Sequence, residues 1–506
     1  MAASAITHRR PTEDVDLSAQ QVHSAAGRNV LVLSGGTIAG QIALAIAIPL
    51  ITRLYTPGDM GEYATFVALV GIFAPTVSLH YELAVPLARN SVVAARIASL
   101  ATLVAIAFAL LLSVCLLLLR GVVARHFGTT KLEGFLWLVP VSLIAQGFAS
   151  VLGMWGLRYE AFSRMAIARG AQGIAQSSIQ VFAGWLRSGA SGLLIGQIGG
   201  QIAAVVPFVA RTLGKPLFTR RSLNPSGLLR VARHHWRFPL VATWSSLVNS
   251  LTANLPVILL VSTFGPTVAG KFALSFRVLQ LPVRLVGQSM SQVFLSRMAK
   301  ARKDARLADA VEHSFRAMFL FVFPCFAILA CIAPQFFAVA FGDAWADSGV
   351  YTQPLVPWMF FGFISTVLSM LVSVLSLQLA EIVFQLALLL VTVAALYAGH
   401  QAGSALIAIA VLGTAAGLIL IFKILWLLHC AGVSLRRIYR FCGGEILRSA
   451  PAVAVVIAIS TIWHNKMLDV VIGALTLAVV QVLNFHRKDA QLPRAVTRTA
   501  DPKQRT

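Results

Sequence analysis

The sequence predicts an all-α polytopic membrane protein (two six-helix bundles followed by a C-terminal helix pair, about 14 transmembrane helices in all), and three observations predict it. The chain is 58% hydrophobic and 12% charged, about half the charge of a soluble domain, with a mean hydropathy of +0.81. From Val30 onward, apolar runs of about 20 residues recur, each long enough to cross a hydrocarbon core of about 30 Å. A Gly/Pro-punctuated motif then appears twice, six helices apart. The pattern lacks the short alternating strands of a β-barrel.

Taken in order, residues 1–29 contain "THRRPTEDVDLSAQQ". They carry no apolar core beside a small-residue cleavage site, so they read as a disordered cytoplasmic arm rather than a signal peptide. The N-terminal six-helix bundle occupies 30–212, with helices expected at 30–53, 61–83, 97–119, 134–157, 165–186 and 190–211. Residues 213–237 form a basic cytoplasmic linker, whose "LLRVARHHW" is amphipathic enough to lie on the membrane surface. The C-terminal bundle occupies 238–430, with helices at 238–263, 268–294, 314–341, 350–377, 379–398 and 404–429. An extra helix pair, 447–463 and 467–485, falls within 431–487, and 488–506 is a cytoplasmic tail.

The formal net charge is +23, from 41 Lys and Arg against 18 Asp and Glu. In a soluble protein that excess would suggest nucleic acid. Here the basic residues sort by side of the membrane, which the positive-inside rule explains without any nucleic-acid partner. Even-numbered connections collect Arg89, Arg96, Arg158, Arg164, Arg169, the 215–237 loop, "SRMAKARKDAR" and Arg436, Arg437, Arg440 and Arg448. Odd-numbered connections hold few, so both termini are expected in the cytoplasm. The 121–134 loop, with three basic residues, fits least well. The five cysteines lie in or beside apolar segments without metal-ligand spacing and read as packing residues. No cofactor motif is present in the pattern.

The repeat pairs "PLITRLYTPGDMGEYATFVALVGIFAP" from Pro49 with "PVILLVSTFGPTVAGKFALSFRVLQLP" from Pro256. Each runs from a helix end through a Gly/Pro turn into "GEYA" or "GKFA", then to a mid-helix proline, Pro75 or Pro282. An even number of intervening helices makes these parallel repeats, with a site expected at their interface.

The second copy continues into "KFALSFRVLQLPVRLVGQSMSQVF". Within it Arg277, Gln280, Arg284, Gln288 and Gln292 share one helical face. Arg277 lies about 17 Å below the turn at Gly265–Pro266, near mid-bilayer, and Arg284 about 10 Å further on. A central arginine costs at least about 2.5–3.5 kcal/mol. Two on one stripe are tolerable only facing water, an acidic partner or an anionic ligand. Glu82, beside His80 in "SLHYELAV", is one such partner, and alternatively a proton site or an interfacial carboxylate. Arg53 is either a receiving charge at the outer mouth or a snorkelling side chain. Asn249 and Asn254 are either cavity hydrogen-bonders or helix-packing glue. The same alternatives hold for the glutamines Gln172, Gln176 and Gln180, and for Gln197 and Gln201. Gly192, Gly196 and Gly200 form a ridge for close packing.

Across roughly residues 30–430 the sequence resembles the polysaccharide-transport branch of the multidrug/oligosaccharidyl-lipid/polysaccharide (MOP) exporter superfamily, which contains the Wzx-type flippases. The resemblance rests on "PLITRLYTPGDMGEYA", "YELAVPLARN", "LRYEAFSRMAIARGAQGIAQ", the long "RFPLVATWSSLVNSLTANLPVILLVSTFGPTVAGKFALSFRVLQLPVRLVGQSMSQVF", and "FGDAWADSGVYTQPLVPW". It implies alternating access that moves an undecaprenyl-diphosphate-linked oligosaccharide across the bacterial inner membrane. It also implies a multi-pass location with membrane lipids around the protein, and a polysaccharide polymerase and export machinery as candidate partners. On that reading Arg277 and Arg284 form a diphosphate-guiding track, because guanidinium offers a fixed fork of donors; interbundle ion pairing is the other reading. A polytopic glycosyltransferase or polymerase would need a sizeable extracytoplasmic loop with catalytic carboxylates, whereas the longest odd-numbered connection is about a dozen residues and Asp343 and Asp347 are the only carboxylates near the ninth. A cation-extruding drug exporter would favour acidic interior residues, whereas Arg277, Arg284 and Lys423 outnumber Glu82 and Glu381.

Overall fold

The computed structural model describes residues 11–127, 134–209, 218–283, 294, 298, 301, 306–463 and 466–497. Helices α1 (Pro11–Leu54), α2 (Pro57–Phe73), α3 (Ser91–Phe127), α4 (Leu138–Arg158), α5 (Phe162–Trp185) and α6 (Ala190–Val209) make the first half. The short α7 (Pro225–His234) leads into the second half. That half comprises α8 (Thr243–Phe264), α9 (Pro266–Pro282), α10 (Leu307–Phe341), α11 (Ala346–Leu368), the short α12 (Met370–Leu375), α13 (Gln378–Gln401) and α14 (Ala405–Cys430). A final pair follows, α15 (Leu435–Trp463) and α16 (Lys466–Thr497).

Ten of these helices are long and apolar enough to cross a membrane. The shorter α2 and α9 and the more polar α5 and α16 complete the expected fourteen, and the chain is a multi-pass membrane protein. One apolar core lies in the second half around Phe319, Phe363, Ile364 and Leu412; another, built on Ile51, Phe66, Leu143 and Leu193 of the first half, extends across to Leu274, Phe337 and Trp345 of the second. The final pair packs against α10. There Asn484 Nδ2 donates to Leu320 O at 3.0 Å and Gln481 Nε2 to Phe321 O at 2.7 Å. Gly196 and Gly200 of α6 seat Gln176 and Gln180 of α5, as the glycine ridge predicts.

Two ends can be distinguished. The basic end holds the α2–α3, α4–α5 and α14–α15 connections and α7; the far end holds the tight turns at 55–56, 265 and 342–345. The capping box at the start of α2 fixes one such turn: Thr56 Oγ1 accepts from the Asp59 amide at 3.2 Å, and Asp59 accepts back from the Thr56 amide at 3.0 Å.

Four expectations on helix limits are corrected. Residues 11–29, read as disordered, are the first part of α1, where Pro11 and the acids after it suit a helix start. Residues 488–497 likewise continue α16. The expected 61–83 helix stops at Phe73, so Pro75 lies in a turn and is not a mid-helix kink. Leu79 and His80 adopt left-handed backbone (φ 49° and 58°) and Tyr81–Ala84 form a single 3₁₀ turn. The expected 350–377 helix is split between α11 and α12, ending at left-handed Ser376. Of the second repeat, α9 is described to Pro282; Arg284, Gln288 and Gln292 lie outside the described residues.

At the far end the repeat becomes a physical contact. Gly61 of α2 and Gly270 of α9 occupy equivalent places in "GEYA" and "GKFA". A Cβ at residue 61 would overlap the Pro266 carbonyl, and one at residue 270 would overlap the Pro57 carbonyl. Each repeat's glycine thus receives the first helical turn of the other, which seals the two halves together. Trp345 Nε1 adds a hydrogen bond across the same end to Thr52 O at 2.9 Å.

Candidate functional site

Below that seal, a cavity of about 790 Å³ opens between the halves, well within the size range of ligand sites. Its walls come from α1, α2, α5, α6, α8 and α9. The repeat-equivalent positions Ala64 and Ala273 both line it, as do Val67 and Phe276, and Ala68 and Arg277. The two walls are therefore built on one pattern and differ in chemistry: α9 places a half-buried guanidinium where α2 has a methyl group. One turn further on, Gln280 lines the wall as well.

A second arginine enters from the first half. Arg169 on α5 lines the same cavity, with Nη1 donating to Thr37 Oγ1 on α1 at 3.0 Å. In the sequence it counted only as a basic-side charge. Yet Arg169, Gln172 and Gln176 stand at i, i+3 and i+7, one helical face, and that spacing was the available signal. No carboxylate lines the cavity among the described residues, and neither Arg169 nor Arg277 is in an ion pair there.

Between the arginines and the seal lies a neutral polar wall. Gln176 Nε2 donates to Gln197 Oε1 at 2.8 Å and to the Tyr63 hydroxyl at 3.1 Å, and that hydroxyl donates to Gln197 Oε1 at 2.9 Å. Tyr63 was missed because it stands inside the repeat motif, where its counterpart Phe272 is simple core. Gln172 also lines the cavity, whereas Gln180 and Gln201 do not. Gln180 Nε2 bonds Leu193 O at 3.0 Å, and Gln201 accepts from Ser142 Oγ at 2.8 Å. The glutamines thus divide between lining and packing.

Asn254 of α8 lines the cavity, its Nδ2 tied to Ser250 O at 2.8 Å and its side chain lying over Gly71 of α2. Asn249 does not; it is exposed, because five residues along a helix turn it roughly 140° from Asn254. Arg53 is exposed near the far-end turn, outside the cavity lining.

Glu82 and His80 sit at the basic end, also outside the lining. Glu82 is buried and accepts from Ser78 Oγ at 2.5 Å, and His80 Nδ1 is 3.6 Å from its other oxygen. His80 Nε2 and Ser246 Oγ of α8 lie 2.8 Å apart, joining the two halves. Arg277 is therefore not paired with Glu82. Lys423 does not add to the cavity's charge either: its Nζ is 2.7 Å from Glu381 Oε1, inside the second half.

Two bundles around one polar, cationic cavity, with a helix pair packed on the second bundle, define a multi-pass membrane protein with a central binding cavity. Residues 50–349 match the family described as polysaccharide biosynthesis protein, and the chain belongs to that family. No curated protein matches the sequence. Among solved structures, the lipid II flippase MurJ in its inward closed conformation aligns with a TM-score of 0.71 at 13% identity. The alignment covers 90% of this chain and 99% of that one. A multidrug-resistance MATE transporter of the MOP superfamily aligns in its inward-facing form with a TM-score of 0.55 at 14% identity, over 80% of this chain and 94% of that one. An outward-facing MATE structure gives 0.54 at 13% identity, over 80% and 95%. The chain shares its fold with these structures.

Proposed function

We propose that this protein is a flippase for an undecaprenyl-diphosphate-linked oligosaccharide, an O-antigen or exopolysaccharide repeat unit, and not an enzyme. The observation that carries this reading is the pair Arg169 and Arg277 facing one cavity that no carboxylate lines among the described residues. Half-buried Arg277 and the more exposed Arg169, neither in an ion pair among the described residues, favour an anion and disfavour a cationic drug. A multidrug antiporter of the same superfamily is the runner-up, and a lipid-sugar glycosyltransferase or polymerase is less favoured.

In this reading the diphosphate meets Arg169 near the basic mouth and then Arg277 deeper in, with Arg284, Gln288 and Gln292 continuing the stripe on sequence grounds. The glycan occupies the wall of Tyr63, Gln172, Gln176, Gln197, Gln280 and Asn254, whose donors and acceptors suit hydroxyl groups. The prenyl chain remains in lipid. Residues 30–212 and 238–430 are the rocking units, joined by 213–237. The basic end is cytoplasmic and both termini lie there, in a bacterial inner membrane.

The test is disruption of the gene followed by analysis of lipid-linked oligosaccharides. Accumulation of the complete repeat unit on its lipid carrier supports a flippase. An incomplete glycan would indicate a transferase, and an unchanged pool with drug sensitivity would indicate an exporter.

A further inference from the structure

A second feature lies away from the central cavity, on the face where α15 meets α10. At the basic end Arg316, Arg437, Arg440 and Arg448 surround a pocket of about 310 Å³. Two carboxylates belong to this cluster, and both are already engaged. Buried Glu312 pairs with Arg316 and with Arg437 at 3.3 Å, and buried Glu445 pairs with Arg448 at 2.5 Å. Four guanidinium groups against two carboxylates leave a surplus of two positive charges. Among the described residues Arg440 takes part in no ion pair, and Arg316 is held over the Phe441 ring at 5.1 Å.

Beside this pocket an apolar groove of about 320 Å³ runs between α10, α11, α14 and α15. Phe315, Phe319, Phe323 and Phe326 line one side of it. Their span on α10 is about 16 Å, about the thickness of one leaflet's hydrocarbon, half of roughly 30 Å. Cys442 and Ile446 of α15 line the other side, one turn from the arginines. Positive charge at the interface joined to a leaflet-deep apolar channel matches a molecule with an anionic head and a hydrocarbon tail. Neither pocket shares a lining residue with the central cavity.

We propose that this pocket and groove bind an anionic membrane phospholipid, its phosphate held by Arg440 and its neighbours and an acyl chain lying along the phenylalanine row. The bound lipid fastens α15 to α10 and so ties the final pair to the second bundle. A phospholipid fits better than the transported lipid, because the proposed route of the latter runs through a cavity that shares no residue with this site.

The full-length protein, purified in mild detergent, is examined by native mass spectrometry with lipid identification. The expected result is one retained phospholipid carrying net negative charge. Arg440→Gln and the groove-filling Cys442→Phe each lower its retention roughly tenfold, the loss of one charge-assisted contact, while Arg440→Lys retains it in large part. As a second measurement, adding phosphatidylglycerol to delipidated wild-type protein raises its Tm, and phosphatidylcholine does not. Equal retention of zwitterionic lipid, a retained polyprenyl diphosphate, or a Tm indifferent to head-group charge would each overturn the proposal.

Discussion

Gly61 and Gly270 face each other's helix across the far end, each lying against the carbonyl of the proline that opens the other helix, Pro266 or Pro57. An alternating-access cycle must separate this contact. Gly61→Leu should therefore prevent far-end closure. In a background without the five native cysteines, Ala273→Cys would then react with an impermeant maleimide added from the far side, and flipping would fall. Unchanged labelling with normal flipping would show that the glycines are not a seal.

How much of this was legible depends on which force set each feature. The α9 stripe was readable because helical period alone places Arg277 and Gln280 together. The end of α2 was not, because the left-handed turn at Leu79 and His80 is held by a contact to Ser246, distant in sequence. Arg169 was visible as a charge but was credited to membrane topology. Asn249 was grouped with Asn254 by residue type, against their helical phase. Lys423 reads as cavity charge in the sequence because its partner, Glu381, stands on a neighbouring helix 42 residues earlier.

That partner gives a stability prediction. Lys423 is 4% exposed, and Glu381 reaches solvent more easily. Glu381→Leu should cost about 3–5 kcal/mol by orphaning a buried ammonium, and Lys423→Met should cost less. The double variant should recover most of the loss. Equilibrium unfolding in mixed micelles measures all three, and a double variant as unstable as Glu381→Leu would rule out the pair as the cause.

At the basic end His80 and Ser246 form a single link between halves, so their effects should not add. His80→Ala and Ser246→Ala should each raise labelling of Gln280→Cys from the basic side, and the double variant should match either single one. Additive increases would mean the two residues act separately.

Orientation is tested by reporter fusions. A reporter active only outside the cytoplasm should be silent when fused near Ser226, in α7, and active near Asp347, at the far end. Activity at Ser226 would reverse the assignment of the basic end.

The central claim is that charge at Arg169 and Arg277 guides an anionic lipid-linked glycan. The most direct measurement is the appearance of labelled lipid-linked oligosaccharide in the outer leaflet, with protein level in the membrane followed alongside. The account predicts that Arg277→Gln and Arg169→Gln each reduce it severely at normal protein level, while either Lys variant keeps a substantial part, because charge survives although the bidentate fork is lost. Normal flipping by both Gln variants would contradict it.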